Sequence, residues 1–361
     1  MSRFRVVAFL SIFSAVMPTV AAQSPTATKA HSALVHALAL SPDGKKLATG
    51  GFDNLIKLWE INPDGSLKQV KELKGHSGPV YAIAFHPQEP LLVSGSQDMT
   101  AKIWNLQEGK MTGEFKGHTA IVDTVAFAPD GKSVASGSAD KTVRLWNPTD
   151  GKEIKNLGTH ANSVYAVAYS PDGKLLASAS ADNTVKIWDV AGLKEVKILK
   201  GHEQPVTAVT FAGDADTVVT TSMDRTIRVW SIKAVKDAQA HSKDKQDTKK
   251  ADKSDTKKDP QAQGKVDPKE VRIDPKDAGE VIRLGPTSDD PYAVVWTDKT
   301  KLLAVCGYSG QVTSWVLTDP KPRFSRLIKN PGYCIVFTAD GKAVLTGHDN
   351  GTVVYTPLAD K

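Results

Sequence analysis

Histidine, hydroxyl and aspartate side chains recur together along this chain at a fixed spacing, a combination that could support hydrolysis. In five segments a histidine is followed by Ser or Thr at one constant separation, and an Asp lies four positions beyond that hydroxyl residue. The sets are His31, Thr49 and Asp53; His76, Ser94 and Asp98; His118, Ser136 and Asp140; His160, Ser178 and Asp182; and His202, Thr220 and Asp224. Many hydrolases use a serine activated by a histidine that an aspartate orients. The recurrence argues against that chemistry, because an enzyme needs one activated nucleophile and not five equivalent ones.

Metal and cofactor sites have little support in the sequence. Four histidines lie outside the five sets, without the spacing of paired metal ligands; they are His36, His86, His241 and His348. Residues 213–216 form too short an acidic stretch for a calcium loop. The Cys-x-x-Cys-His sequence of haem attachment is absent. We therefore expect no catalytic residue, no metal and no cofactor.

A tryptophan closes each of the five segments, six positions after the aspartate. These residues are Trp59, Trp104, Trp146, Trp188 and Trp230, and they follow one another at a nearly constant separation. In the fourth segment, the sequence pattern predicts four strands at residues 165–169, 175–180, 184–188 and 195–199. The Ser-Pro-Asp-Gly-Lys run at 170–174 favours a turn between the first two strands. Each unit is therefore predicted to be a four-stranded, all-β element.

Two degenerate units follow and bring the total to seven. The sixth unit keeps Trp315, but Ser309 replaces the aspartate and Val305 replaces the hydroxyl residue. The seventh unit is interpreted as keeping Asp349, with Tyr355 in place of the tryptophan.

These units resemble the WD-repeat family of β-propellers, whose signature runs from Gly-His to Trp-Asp over about 40–45 residues. Gly75-His76, Gly117-His118 and Gly201-His202 match the first dipeptide, and Trp188-Asp189 matches the second. The resemblance covers nearly all of residues 24–358. It implies an all-β fold, a seven-bladed β-propeller of four-stranded antiparallel blades, in an exported bacterial-type member of the family.

The resemblance also assigns structural roles. In this family the aspartate links the histidine, the hydroxyl residue and the tryptophan indole N–H, so the five sets and their tryptophans are expected to be hydrogen-bonded structural tetrads. The last unit ends after its third strand. Residues 24–30 are expected to supply the missing strand and close the ring, which removes an exposed sheet edge.

Residues 1–22 have the pattern of a signal peptide. Arg3 and Arg5 precede an apolar run at 6–17, and small residues at 20–22 precede a cleavage position before Gln23. The run is shorter than the ~20 residues that span a bilayer, which disfavours the alternative of a membrane anchor. We expect residues 23–361 to form a single propeller in the periplasm or outside the cell.

A charged segment at residues 236–279 interrupts the fifth unit. It holds about a dozen Lys or Arg residues, a similar number of Asp or Glu residues, and no aromatic residue. Such a composition buries too little apolar surface to offset chain entropy, which predicts disorder. The segment falls between the third strand of the unit and a fourth strand at Glu280–Leu284. A solvated spacer and a partner-binding or cell-wall-contacting arm both fit it.

Two cysteines, Cys306 and Cys334, fall in the sixth and seventh units. Their alignment partners are small residues such as Ala179 and Ala166. Two buried thiols in small-residue positions and a disulfide between the two degenerate blades are both compatible with this placement.

The residue that enters the first strand of each blade is expected to point toward the mouth of the central channel. These residues are His36, Tyr81, Asp123, Tyr165, Thr207, Tyr292 and Tyr333, and residues before the turn aspartates add Phe52, Gln97 and Met223. Tyrosine is enriched in the energetic centres of interfaces. Four tyrosines in seven equivalent positions therefore indicate a partner-binding surface, although tyrosine also suits the start of a strand.

A non-catalytic scaffold that binds a protein partner is the function these features favour. The net charge of +6 is modest for 361 residues, and it does not indicate a nucleic-acid-binding protein. An enzyme, or a sensor of a glycan or small molecule, with its site at the channel mouth is the alternative.

Overall fold

Seven four-stranded antiparallel sheets follow one another along the chain. A computed structural model describes residues 25–233, 279–287 and 289–358. The predicted signal peptide at 1–22 lies outside the described residues, as does the predicted charged insert at 236–279 except for its last residue. Each sheet is one blade of a seven-bladed propeller, which confirms the predicted fold class.

The first four blades are built from consecutive strands. Blade one contains β2 (Val35–Leu40), β3 (Lys46–Gly51), β4 (Ile56–Ile61) and β5 (Leu67–Leu73). Blade two contains β6 (Val80–Phe85), β7 (Leu91–Ser96), β8 (Thr100–Asn105) and β9 (Lys110–Lys116). Blade three contains β10 (Val122–Phe127), β11 (Val134–Ser138), β12 (Thr142–Trp146) and β13 (Glu153–Thr159). Blade four contains β14 (Val164–Tyr169), β15 (Leu175–Ser180), β16 (Thr184–Asp189) and β17 (Lys194–Lys200).

The last three blades include the interrupted unit and both degenerate units. Blade five contains β18 (Val206–Phe211), β19 (Thr217–Ser222), β20 (Ile227–Ser231) and β21 (Glu280–Leu284). Blade six contains β22 (Pro291–Thr297), β23 (Leu302–Gly307), β24 (Gln311–Trp315) and β25 (Phe324–Leu327). Blade seven contains β26 (Gly332–Phe337), β27 (Ala343–His348), β28 (Thr352–Pro357) and β1 (Thr26–Lys29).

The turn between the first two strands of a blade is held by its own side chains. In blade four, the Ser170 hydroxyl donates to Asp172 Oδ1 at 2.7 Å, and the Lys174 backbone N–H donates to the same oxygen at 3.1 Å. Gly173 has a φ of +70°, which glycine adopts without steric cost. The Ser-Pro-Asp-Gly-Lys sequence therefore forms the predicted turn for a local reason.

The hydrophobic core lies between neighbouring blades. One cluster joins Leu145 of blade three to Val164, Leu176 and Trp188 of blade four, and each of these side chains is at most 1% exposed. Equivalent clusters join the other neighbours around the ring. Because each blade buries its faces against two others, the blades depend on one another for stability.

The N-terminal strand closes the ring, as predicted. β1 pairs antiparallel with β28, and the register runs from Thr26 opposite Tyr355 to Lys29 opposite Thr352. The Lys29 ammonium also donates to the Asn350 carbonyl. Blade seven thus consists of three C-terminal strands and one N-terminal strand, and it packs against blade one through Val35 and Trp59.

The fifth blade is completed by a strand that is distant in sequence. β21 pairs with β20, with Ile227 opposite Leu284 and Trp230 opposite Glu280. The third and fourth strands of this blade are thus neighbours in the sheet although about 50 residues separate them in the sequence.

Candidate functional site

A β-bulge marks the start of the innermost strand in every blade. The pairing of β2 with β3 skips His36 between Val35 and Ala37, and the same skip occurs in the other six blades. A bulge residue is released from the regular alternation of the strand and is aimed differently from its neighbours. The skipped residues are His36, Tyr81, Asp123, Tyr165, Thr207, Tyr292 and Tyr333.

These seven bulge residues line one cavity of about 400 Å³ on the axis of the ring. Met223, also selected from the sequence, lines it as well. Phe52 lies against two lining residues, and Gln97 is exposed and is not part of the lining. The structure thus brings together eight of the ten residues expected at the mouth, with Phe52 in contact with them.

Six aromatic rings form a continuous chain across four blades, which we call the aromatic arc. The arc consists of Tyr308, Tyr292, Tyr333, His36, Phe52 and Tyr81. Ring centroids are 5.2 Å apart for Tyr292 and Tyr333, and 4.8 Å apart for His36 and Tyr81. These separations are typical of favourable aromatic pairs. The arc covers blades six, seven, one and two.

Tyr308 is the member of the arc that the sequence interpretation missed. Its side chain is 59% exposed, and its ring packs edge-on against Tyr292 at 6.4 Å. Tyr308 immediately precedes Ser309, which occupies the aspartate position of blade six. It is therefore the counterpart of Phe52 and Met223, and this position was a signal that could have found it.

The groups at the mouth are held mainly in their neutral forms. Burial raises the pKa of Tyr81, Tyr165, Tyr292 and Tyr333. Burial lowers the pKa of His36, whose Nδ1–H donates to the Tyr81 carbonyl at 2.8 Å. Burial also raises the pKa of Asp123 to about 7. The mouth therefore presents aromatic faces and hydroxyl groups with one titratable carboxyl group.

The five sets of His, hydroxyl, Asp and Trp residues are each joined by hydrogen bonds. In blade three, His118 Nδ1 lies 2.8 Å from Asp140 Oδ2, and His118 Nε2 lies 2.7 Å from Ser136 Oγ. The Trp146 indole N–H donates to the same Ser136 Oγ at 2.7 Å. The other four blades repeat this arrangement with distances of 2.6–2.9 Å. A hydroxyl shared in this way is a structural link between buried groups, not an exposed nucleophile.

Protonation in the tetrads follows from their hydrogen bonds. Partial burial disfavours the charge of Asp140, but hydrogen bonds from His118 and Thr142 outweigh it and hold the pKa of Asp140 well below its usual range. Burial lowers the pKa of His31, His160 and His202 in their tetrads. With the carboxylate accepting from Nδ1–H, the histidine Nε2 accepts the hydroxyl proton. Every polar group in the tetrad thus has a partner.

In blades two and three, the glycine before the tetrad histidine lies close to the tryptophan of the same blade. A Cβ atom on Gly117 would lie 2.8 Å from Trp146 Cη2 and 3.0 Å from Arg144 Nη1. A Cβ atom on Gly75 would lie 3.0 Å from Trp104 Cη2. A side chain at either of these two glycines would therefore require the tryptophan to move.

Blade six has lost its tetrad and leaves one donor without a partner. Val305 occupies the hydroxyl position, and the Trp315 indole nitrogen is buried without a hydrogen-bond partner in the part of the chain that the structure describes. Each buried polar group that lacks a partner destabilises the folded state.

Restoring the hydroxyl in blade six is expected to stabilise the protein. Val305→Thr adds a hydroxyl that accepts from Trp315 Nε1 and donates toward the Thr313 carbonyl opposite. We expect the free energy of unfolding to rise by about 1 kcal/mol, measured by urea denaturation. The reverse change in blade one, Thr49→Val, removes the acceptor for Trp59 and should be destabilising. Equal destabilisation by both variants would contradict the assignment.

Blade seven has a different set of hydrogen bonds, and its strand register shows that the sequence interpretation placed two of its residues wrongly. β27 and β28 pair with Thr346 opposite Val354 and Val344 opposite Thr356. Asn350, not Asp349, therefore occupies the aspartate position, and Thr356, not Tyr355, occupies the tryptophan position. The error was a shift by one residue, which moves every side chain to the other face of a strand.

His348 takes over the histidine role in blade seven from the end of β27, whereas the tetrad histidines precede the innermost strand of their blades. Its Nε2 lies 2.7 Å from Thr346 Oγ1, and its Nδ1 lies 3.0 Å from the carbonyl oxygens of Asn330 and Pro331. The side chain is fully buried, and burial lowers its pKa. His348 was assigned to no site from the sequence, because it follows its hydroxyl partner closely in the chain, whereas the tetrad histidines precede theirs from a distant position.

A second repeated feature accompanies the five complete tetrads. A basic residue two positions before each tryptophan pairs with a glutamate on the outer strand. The pairs are Lys57–Glu72, Lys102–Glu114, Arg144–Glu153, Lys186–Glu195 and Arg228–Glu280. These pairs were not predicted from the sequence, although a Lys or Arg at the same position of five repeats was a visible signal.

The two cysteines are free, buried thiols in the structure. Cys306 Sγ contacts the Gly332 carbonyl oxygen at 3.5 Å, and Cys334 Sγ contacts the Val35 carbonyl oxygen at the same distance. Burial raises the pKa of both thiols. The two sulfur atoms thus sit in separate small-residue positions and do not form the disulfide that the sequence left open.

Two kinds of feature are absent from the part of the chain that the structure describes. It contains no group of three or more His, Cys, Asp or Glu side chains that could hold a metal ion. It also contains no helix whose length and apolar character would allow it to cross a membrane.

Two models of known protein families match parts of this chain, and both describe β-propeller repeats. A family model described as WD domain, G-beta repeat matches residues 23–60. A second, described as Echinoderm microtubule-associated protein second beta-propeller, matches residues 80–256. No curated protein matched the chain. The two family models and the seven-bladed ring support a WD-repeat β-propeller family for this chain.

Proposed function

We propose that this protein is a non-catalytic scaffold that captures a protein partner through the aromatic arc and the channel mouth, outside the cytoplasm. WD-repeat propellers generally bind proteins and are typically non-catalytic. The aromatic arc is the observation that carries the proposal. Six touching rings at one end of the channel form an amphipathic surface of the kind that dominates binding energy in protein interfaces.

Export is supported by the N-terminal sequence together with the position of β1. Cleavage before Gln23 would leave the closing strand Thr26–Lys29 intact, because that strand begins three residues later. Mass spectrometry of the protein isolated from its native cells tests this part of the proposal. A mature chain that begins at Gln23 supports it, and a chain that retains residues 1–22 contradicts it.

Partner capture should depend on the arc. The double variant Tyr81→Ala/Tyr333→Ala removes the rings on both sides of His36, and we expect partner affinity to fall by at least about 30-fold. Immobilised wild-type and variant proteins are compared by mass spectrometry of what each captures from the exported fraction.

The control removes exposed apolar side chains from the outer strands. Met111 and Ile154 are each 45% exposed on β9 and β13, away from the channel. Met111→Ala/Ile154→Ala should capture the partner as the wild type does. Undiminished capture by the tyrosine variant, with unfolding curves that match those of the wild type, would reject the arc as the binding surface.

A further inference from the structure

Asp123 is the one carboxylate among the described residues that line the channel cavity, and none of those residues is lysine or arginine. Its Oδ2 atom is buried and has no hydrogen-bond partner among the residues that the structure describes. A buried carboxylate oxygen without a donor is costly, because it has lost its water and gained no partner. The carboxylates of the tetrads differ, since a histidine ring donates to each of them. Asp123 therefore lines the cavity with one carboxylate oxygen that no donor among the described residues satisfies.

Aromatic rings stand on both sides of Asp123. Tyr81 and Tyr165 occupy the bulge positions of the two neighbouring blades. After burial, the negative charge of Asp123 is the next cause that raises the pKa of each of these tyrosines, so the carboxylate lies close enough to act on both. The face of a tyrosine ring attracts a cation. The two rings and the carboxylate together form a site that favours positive charge.

The remaining charges around Asp123 do not neutralise it. Burial raises the pKa of Asp123, a hydrogen bond from the Ala139 backbone lowers it, and repulsion from Asp140 raises it further. Among the described lining residues, His36 alone has an ionisable nitrogen, and burial lowers its pKa. Near neutral pH, His36 is therefore uncharged and supplies no counter-ion.

We propose that the channel mouth receives an arginine side chain of the protein partner, with the guanidinium paired to Asp123 and stacked against Tyr81 and Tyr165. The inference rests on the proposed function and specifies the chemistry of its contact. A guanidinium matches a carboxylate with two parallel donors, stacks on aromatic faces, and loses less hydration than an ammonium group. The cavity of about 400 Å³ has room for such a side chain.

The test uses three blocked tripeptides and a fluorescence titration of the mature protein. The central residue of the peptide is arginine, citrulline or lysine, and citrulline has nearly the shape of arginine without its charge. We expect the wild type to bind the arginine peptide at least about tenfold more tightly than the citrulline peptide. Asp123→Asn should bind both peptides equally. Asp150→Asn, an exposed change in the strand-connecting turn of the same blade, should bind like the wild type.

The pH profile provides a second readout that does not depend on a variant. Arginine stays charged, whereas Asp123 must lose its proton to pair with it. Affinity for the arginine peptide should therefore rise between about pH 6 and pH 8 in the wild type and stay flat in Asp123→Asn. Thermal unfolding confirms that Asp123→Asn is folded, since asparagine matches the protonated acid in shape.

Three results would overturn the arginine site: no binding of the arginine peptide, equal binding of the citrulline peptide, or an unchanged affinity in Asp123→Asn. Equal affinity for lysine would overturn the assignment to a guanidinium. The proposed function is judged separately by partner capture. If Asp123→Asn captures the partner normally while Tyr81→Ala/Tyr333→Ala does not, the arc remains the binding surface and the arginine contact is rejected.

Discussion

Replacing Glu280 with alanine is expected to lower the free energy of unfolding by about 3 kcal/mol, because it leaves a buried arginine without its nearest carboxylate. Arg228 Nη1 lies 2.7 Å from Glu280 Oε2, and the two side chains are 3% and 10% exposed. Asp224 lies farther from the guanidinium, at 3.9 Å. Glu280 is also the first residue of β21, so the loss should weaken the outer strand of blade five. Urea denaturation at neutral pH measures the effect.

Blade three offers a matched control for this prediction. Arg144 and Glu153 occupy the equivalent positions and lie 2.7 Å apart, but their side chains are 16% and 32% exposed. Because water screens and solvates this pair, Glu153→Ala should cost only about 1 kcal/mol. Equal losses of unfolding free energy in the two variants would contradict the role of burial in the effect of Glu280→Ala. A double variant, Arg228→Met/Glu280→Leu, should recover part of the loss, since it leaves no charge buried.

Replacing Asp140 with alanine should lower the free energy of unfolding by about 3 kcal/mol at neutral pH, because it breaks the hydrogen bonds of the blade-three tetrad. The Asp140 carboxylate, which is 5% exposed, accepts from the Thr142 hydroxyl at 2.7 Å and from the Thr119 backbone N–H at 3.1 Å, besides its bond to His118. Alanine leaves the buried His118 and Thr142 donors without this acceptor. Asp140→Asn should cost less, because Asn350 in blade seven already accepts from the Thr352 hydroxyl at 2.6 Å at the equivalent position.

The pH dependence of this loss follows from the depressed pKa of Asp140. The ordinary pKa is 3.8, and the folded protein holds it lower. The aspartate therefore contributes its stability above about pH 4, and the contribution disappears as the pH falls toward the folded-state pKa. The difference between the unfolding free energies of wild type and Asp140→Ala should shrink from pH 5 to pH 3. The surface variant Asp150→Ala should change stability little at either pH, and a difference that grows on acidification would contradict the role of the charge.

Local sequence was sufficient to predict turns and strands wherever the residue types favour a single backbone conformation. The turn at 170–174, the strand Leu175–Ser180 and the returning strand Glu280–Leu284 were predicted at the bounds the structure has. The lining positions were also predictable, because the repeat places one residue at the start of each inner strand. Blade seven was not, because its histidine, His348, lies two residues after the hydroxyl residue Thr346 that it contacts, a spacing that the other blades do not have. A spacing rule fails when a residue at a different position in the repeat can reach the same hydroxyl group.

The sequence by itself determined a repeat of four-stranded units, and the resemblance to WD-repeat propellers implied that these units form a ring. The five sets of His, hydroxyl, Asp and Trp residues also argued against a hydrolase, because equivalent sets at one spacing describe a repeat and not an active site. Tertiary structure decided which side chains meet at the channel mouth, which the spacing does not show. The innermost strands bulge and turn seven residues into one cavity, Tyr308 extends the aromatic arc, and Asp123 remains there without a counter-charge among the described lining residues. Contacts between blades depend on how separate sheets pack against one another, and that packing brings together side chains that no local pattern links.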